Sequence, residues 1–324
     1  MSNLPRSLRI NIDDLPNCDV LDSVNLRGVD KSTIWTKHCY GNELSIRVAG
    51  REGGYHSSPH THASEQMNYC AEGEVWIFVE DKGTRLNKGD MMRVPRDAVH
   101  WAWNRSSKPC VLWESHTPGN IGAQRVRDTA GPLFTPDEAM PTGGYPKTIW
   151  LSAEYAEAPE SSNLPSTEGG LLVRSNEIGE ILHRDANKDG GFRSRFVYGL
   201  DSSFLVGTQA PGCRLKAHLH DCEQLMHIVS GELWVFLPES AYLLRTGDFM
   251  RIPRMVPHWS ANHGKLPCVL FEAHAPALDP GNEPAAKALL LPGESTKGML
   301  LTRTLWAPLD LVQREEKLMA AVKR

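Results

Sequence analysis

His60-Thr61-His62-Ala63-Ser64-Glu65-Gln66 returns 158 positions later as His218-Leu219-His220-Asp221-Cys222-Glu223-Gln224. A distal histidine follows each copy at the same distance, His100 after the first and His258 after the second. In a strand, residues two apart in number face the same side, so His60 and His62 can grip one ion together. His100 then supplies a third nitrogen from a neighbouring strand. Imidazole suits iron, manganese, nickel, copper or zinc, and the spacing does not choose among them. One constant offset across all these positions marks an internal duplication. The chain reads as two metal-binding β units.

The flanking sequence supports strands. Val75-Trp76-Ile77-Phe78-Val79 follows the turn Glu72-Gly73-Glu74, and Val99-His100-Trp101-Ala102-Trp103 follows the turns around Gly83 and Gly89. Short β-branched and aromatic runs between frequent turns predict a sandwich or barrel. The repeat continues without a gap: Gly73, Trp76, Gly89, Pro95 and Asn104 match Gly231, Trp234, Gly247, Pro253 and Asn262. Between the units, Thr117 to about Gly170 is rich in proline and reads as a linker. Ile149-Trp150-Leu151 in it is too apolar to be left wholly exposed. Leu311, Leu318 and Val322 predict a C-terminal amphipathic helix over 309–323. The expected division is 1–150, an arm, the first unit and linker, and 151–324, the second unit with its helix.

Composition bounds the function. The 324 residues suit two domains, and the formal net charge of −4 without a long basic run argues against nucleic-acid or anionic-membrane partners. No apolar stretch near Met1 resembles a signal peptide. Seven cysteines, an odd number without CxxC spacing, lead us to expect a reduced, cytoplasmic protein.

These motifs carry a family resemblance. The first cupin motif runs G(x)5HxH(x)3–4E(x)6G and the second G(x)5PxGxxH(x)3N. Gln66 and Gly73, with Gly89, Pro95, His100 and Asn104, fit them, as do Gln224, Gly231, Gly247, Pro253, His258 and Asn262. The chain resembles a bicupin, which implies an all-β fold of two tandem double-stranded β-helix (jelly-roll) barrels with minor helix. It implies metal ligands His60, His62, Gln66 and His100 in the first barrel and His218, His220, Gln224 and His258 in the second. Two departures stand out. Asp97 and Met255 replace the loop glycine, and glutamine replaces the ligand glutamate in both copies. This three-His, one-Gln set is similar to that of the bacilysin-pathway bicupin isomerase and some sugar-acid cupins. Glu65 and Glu223 adjoin the glutamines; in a regular strand they point away from the ion, and a bulge would reverse that.

Four neutral donors leave a divalent ion's charge uncompensated, which favours a small anionic, chelating substrate. The first reading is a non-haem Fe(II) dioxygenase of a small aromatic or keto/enol compound, with dioxygen as co-substrate. The second is an isomerase or lyase of a 2-oxo or sugar acid, with manganese, nickel, zinc or copper in place of iron. The third is a non-enzymatic small-ligand binder. Arg93, Arg96, Arg251 and Arg254 are candidate anion contacts at the cavity mouths. Alternation turns Asn68 and Cys70 inward in the first unit and Met226 and Ile228 in the second, so the first cavity is expected to be the more polar. Glu114 and His116, mirrored by Glu272 and His274, share a strand face as acid–base groups or as a structural pair. Cys222 reads as a bystander, Trp101 and Trp259 as core. Duplication can replace the dimer contact of single-unit cupins and leaves further homo-oligomerisation open.

Overall fold

Alternating β-branched and aromatic residues pack well on a pleated sheet face, and they place the bulk of the chain in strands. The computed structural model describes residues 4–18, 35–80, 82–141, 144–152, 171–183, 187, 191–281, 283–297 and 301–322. In the first half, one sheet runs in the order Gly131–Pro132, Trp35–Tyr40, Ser45–Arg51, Cys110–Thr117, Glu65–Glu72, Met91–Val94, Leu172–Val173. Facing it are Ile149–Trp150, His60–Thr61, His100–Trp103, Glu74–Val79 and Lys82–Asn87. The second half repeats the pattern, with Ser203–Gln209, Cys268–Ala275, Glu223–Ser230 and Asp248–Ile252 as consecutive neighbours. Strands distant in sequence are thus neighbours in space. The fold is an all-β pair of jelly-roll barrels, as the repeat led us to expect.

Each barrel borrows an edge from the other half. Arg9–Asn11 pairs with the second barrel, Arg9 opposite Met250, while Leu172–Val173 pairs with the first, Leu172 opposite Met92. Strand pairing therefore crosses the expected division at residue 150. Between the barrels lies one continuous core in which Leu44, Ile46, Met67 and Trp113 meet Phe204, Leu225, Phe249 and Phe271. The Trp113 and Phe271 rings meet edge-on at 5.0 Å.

A reciprocal carboxylate lock joins the halves. Glu65 turns out of its barrel and accepts hydrogen bonds from the backbone N–H groups of Leu200, Asp201 and Ser202 at 2.9, 3.1 and 3.0 Å. Glu223 does the same with Asn42, Glu43 and Leu44 at 2.8, 2.8 and 3.2 Å. Gly199 and Gly41 open each seat: a Cβ at either would lie 2.6 or 2.5 Å from a carboxylate oxygen.

The tail differs in detail from its expectation. Leu309–Arg314 is a 3-10 turn and only Glu315–Val322 is α-helical. Leu311 and Leu318 pack against Trp234, Phe236 and Trp259, whereas Val322 is exposed. Ile149 and Trp150 also remain accessible, because their two-residue strand edges a barrel mouth. Among the described residues no helix is long and apolar enough to cross a membrane.

Candidate metal centres

His60 and His100 are direct antiparallel partners, and His62 follows His60 on the same face. The three present ligand atoms within 4.8 Å of one another, as do His218, His220 and His258. Each ring is aimed by a carbonyl. His60, His62 and His100 direct Nδ1 at the oxygens of Ser58, Ser64 and Ala98 at 2.9, 3.1 and 2.9 Å. In the second barrel Nδ1 of His218, His220 and His258 meets the oxygens of Lys216, Cys222 and Val256 at 2.9, 3.2 and 3.0 Å. A carbonyl can only accept, so Nδ1 carries the proton and every Nε2 turns a lone pair inward. Nε2 of His100 and of His258 is buried with no hydrogen-bond partner among the described residues. Burial holds His60, His62, His100, His220 and His258 below the usual imidazole range, His60 at about 3 and His220 at about 4.

The glutamine oxygens join these lone pairs. Gln66 Oε1 lies 3.1 Å from His62 Nε2, and Gln224 Oε1 lies 3.0 Å from His220 Nε2. With Nδ1 protonated, each contact sets two lone pairs face to face, an arrangement that a shared cation makes favourable. The nitrogen-rich set fits a divalent transition metal. Asn68, expected as a pocket residue, instead accepts from Gln66 Nε2 at 2.7 Å and so turns Oε1 inward. His116 Nε2 approaches the same oxygen at 3.1 Å. The loop without its glycine keeps the glycine's conformation: Asp97 and Met255 have φ of 60° and 59°. Their N–H groups donate to the His62 and His220 carbonyls, both at 3.0 Å.

Around these matched centres the barrels diverge. The first encloses about 40 Å³, lined in part by Arg47, Arg51, Glu114 and Trp150. The second encloses about 280 Å³, walled by Phe192, Leu205, Leu215 and Met226, with Glu272, His274 and Trp306. Of Asn68, Cys70, Met226 and Ile228, only Met226 is among these lining residues. The contrast in polarity comes instead from Arg47 and Arg51, whose repeat partners are Leu205 and Gln209. Two arginines four apart on one strand face, unmatched in the other copy, were the available signal.

The four arginines expected at the cavity mouths line neither centre. Strand alternation puts Arg93, opposite Met67, on the face turned away from Gln66. It binds Glu65 at 2.6 Å and Glu294 at 2.5 Å, and donates to the Leu289 carbonyl. Arg251 likewise binds Glu223 and, at 2.8 Å, Glu138. Arg96 pairs with Asp201 and Arg254 with Glu43, again across the two halves. Glu114 is held by Arg47 and Arg51, not by His116. Glu272, its counterpart, has no arginine or lysine partner among the described residues, and burial lifts it to about 8.

The cupin domain model matches residues 48–117 and again 205–274. No curated protein matches the chain. Oxalate decarboxylase from Bacillus subtilis superposes with a TM-score of 0.58 at 13% identity, covering 85% of this chain and 78% of that one. The formate complex of Lactobacillus farciminis oxalate decarboxylase gives 0.57 at 13%, covering 84% and 87%. AerE from Microcystis aeruginosa gives 0.54 at 12%, covering 76% and 94%. At such identities these likenesses speak for the fold alone. With two matched domains, two histidine triads and the jelly-roll topology in agreement, the chain carries two cupin domains in tandem, one in each barrel, each with a candidate metal centre.

Proposed function

We propose that the second barrel is the catalytic one and that it moves a proton on a small anionic substrate, a 2-oxo or sugar acid, as an isomerase or lyase. His218, His220, Gln224 and His258 would hold the metal. A divalent ion there supplies Lewis-acid stabilisation of negative charge on a substrate oxygen. The observation that carries the reading is the pair Glu272 and His274, both facing the 280 Å³ cavity, with Glu272 Oε2 3.8 Å from His274 Nε2. Burial raises the carboxyl and lowers the imidazole, so near neutrality one holds a proton and the other can accept one. The apolar wall of Phe192, Leu205 and Leu215 limits water around the exchange. Manganese(II) centres are described for the Bacillus subtilis decarboxylase, which makes manganese the first ion to load here.

The oxygenase reading keeps one supporting observation, since the same wall would seat an aromatic ring. One experiment separates the readings. Metal-loaded protein is incubated in D2O with a panel of 2-oxo acids, sugar acids and enols, while deuterium entry is followed by NMR and oxygen by electrode. Exchange without oxygen loss is expected, falling about 10²–10⁴-fold in Glu272→Gln. Oxygen uptake without exchange would favour the dioxygenase with Fe(II). Neither signal, with ligand binding retained, would leave a non-enzymatic binder.

A further inference from the structure

The second barrel serves as a control for the first. Where the first barrel carries Arg47 and Arg51 around Glu114, the second carries Leu205, opposite Glu272, and Gln209, opposite Cys268. Arg47 bonds one oxygen of Glu114, and Arg51 Nη2 bonds the other at 2.8 Å. Two guanidinium charges against one carboxylate leave one positive charge over, and arginine does not shed its proton. The nearby His38, His60, His100 and His116 are imidazoles, neutral or cationic, and supply no negative charge. Among the described residues two donors are unspent: Arg47 Nε and Arg51 Nη1 are buried without a hydrogen-bond partner. Arg51 is 6% exposed, and the Arg47 side chain 27%. Both arginines line the cavity shared by His60, Gln66 and His100.

A cation held there by neutral donors would add to this excess. Buried charge without compensation is costly, and an unpaired buried N–H adds to the cost. The missing component is negative, accepts hydrogen bonds and is small. We infer that the first barrel is a binding site for a small planar oxyanion, a one-carbon carboxylate or bicarbonate, seated against Arg47 and Arg51 beside the imidazoles. The cavity of about 40 Å³ sets the size. At roughly 10–15 Å³ per enclosed water it holds about three waters or one such anion. The guanidinium fork sets the shape, because its coplanar N–H groups match a planar oxyanion. The two centres therefore differ in task. This site stands apart from the turnover assigned to the second barrel and does not depend on it.

The test is calorimetric. The full chain, stripped of metal and then zinc-loaded, is titrated in chloride-free buffer with sodium formate, sodium bicarbonate and sodium nitrate. Anion released on denaturation is measured in parallel by ion chromatography. One equivalent of formate or bicarbonate per chain is expected, either bound on titration or released on denaturation. Arg51→Met should weaken binding at least tenfold, Arg51→Lys less so. Glu114→Gln removes the competing carboxylate and should tighten binding, a sign that a merely structural triad does not predict. If that variant does not fold, the Arg51→Met and Arg51→Lys pair still decides. Formate preferred over bicarbonate identifies a carboxylate site, the reverse a bicarbonate site. Nitrate binding alone, unchanged affinity in Arg51→Met, or no anion either bound or released would overturn the inference.

Discussion

A single imidazole shows how burial assigns roles at the residue scale. His227 sits where the first unit has Tyr69, stacked on Phe249 with ring centroids 4.2 Å apart and edge-on to Trp113 at 5.3 Å. Burial lowers it to about 3, against 6.5 when unfolded. The folded state thus resists the proton that the unfolded chain takes up. This contribution is complete above pH 6.5 and is lost as pH falls towards 3, by at most about 1.4 kcal/mol per pH unit. His227→Phe should flatten the decline in urea stability between pH 6.5 and 4. A decline parallel to the parent's would assign the acid sensitivity to other groups. At the metal centres, His60→Ala and His218→Ala should each remove one equivalent of bound metal by elemental analysis. Equal metal content in parent and variants would count against both triads.

At the scale of the element, the loop before each distal histidine is informative. Asp97 and Met255 hold a left-handed conformation that a side chain makes costly, because the turn must offer its N–H to a ligand histidine's carbonyl. Met255 is 48% exposed, so its side chain returns little packing. Met255→Gly should stabilise the chain by about 0.5–1 kcal/mol, the relief of the left-handed strain less glycine's entropy in the unfolded chain. Urea denaturation checks this. A loss of stability would mean that the thioether packs better than its exposure suggests. Strand alternation works on the same scale: it sends Gln66 inward to the imidazoles and Glu65 outward to the other barrel, although the two are adjacent.

For the whole molecule, the outward-facing charges are the joint. Glu65 and Arg93, like Glu223 and Arg251, are buried between the halves and share bonds with the opposite unit. Neutralising Glu65 leaves Arg93 with the partly exposed Glu294 as its carboxylate and weakens three charge-assisted backbone hydrogen bonds, a cost of about 1.5–3 kcal/mol. Glu65→Gln should therefore lose stability of that order. Because the core is continuous across both barrels, the parent should unfold in one transition. Two resolved transitions in the parent, or a neutral Glu65→Gln, would show barrels that fold independently.

The duplication, the barrel fold, the clustering of the histidines and the inward turn of the glutamine were legible in the sequence, because each rests on local spacing. Period-two alternation decides which side chains share a face, and a repeat read at one constant offset exposes paired positions. The roles of the arginines were not legible. Arg93, Arg96, Arg251 and Arg254 meet carboxylates that fold back from the other half of the chain. Arg47 and Arg51, with no motif of their own, reach the metal cavity through pairing with the strand Cys110–Thr117. Burial raises the Glu272 carboxyl because, unlike Glu114, it meets no arginine or lysine among the described residues. Spacing along a strand fixes where a ligand points, whereas the compensation of a charge depends on neighbours that only the tertiary fold brings near.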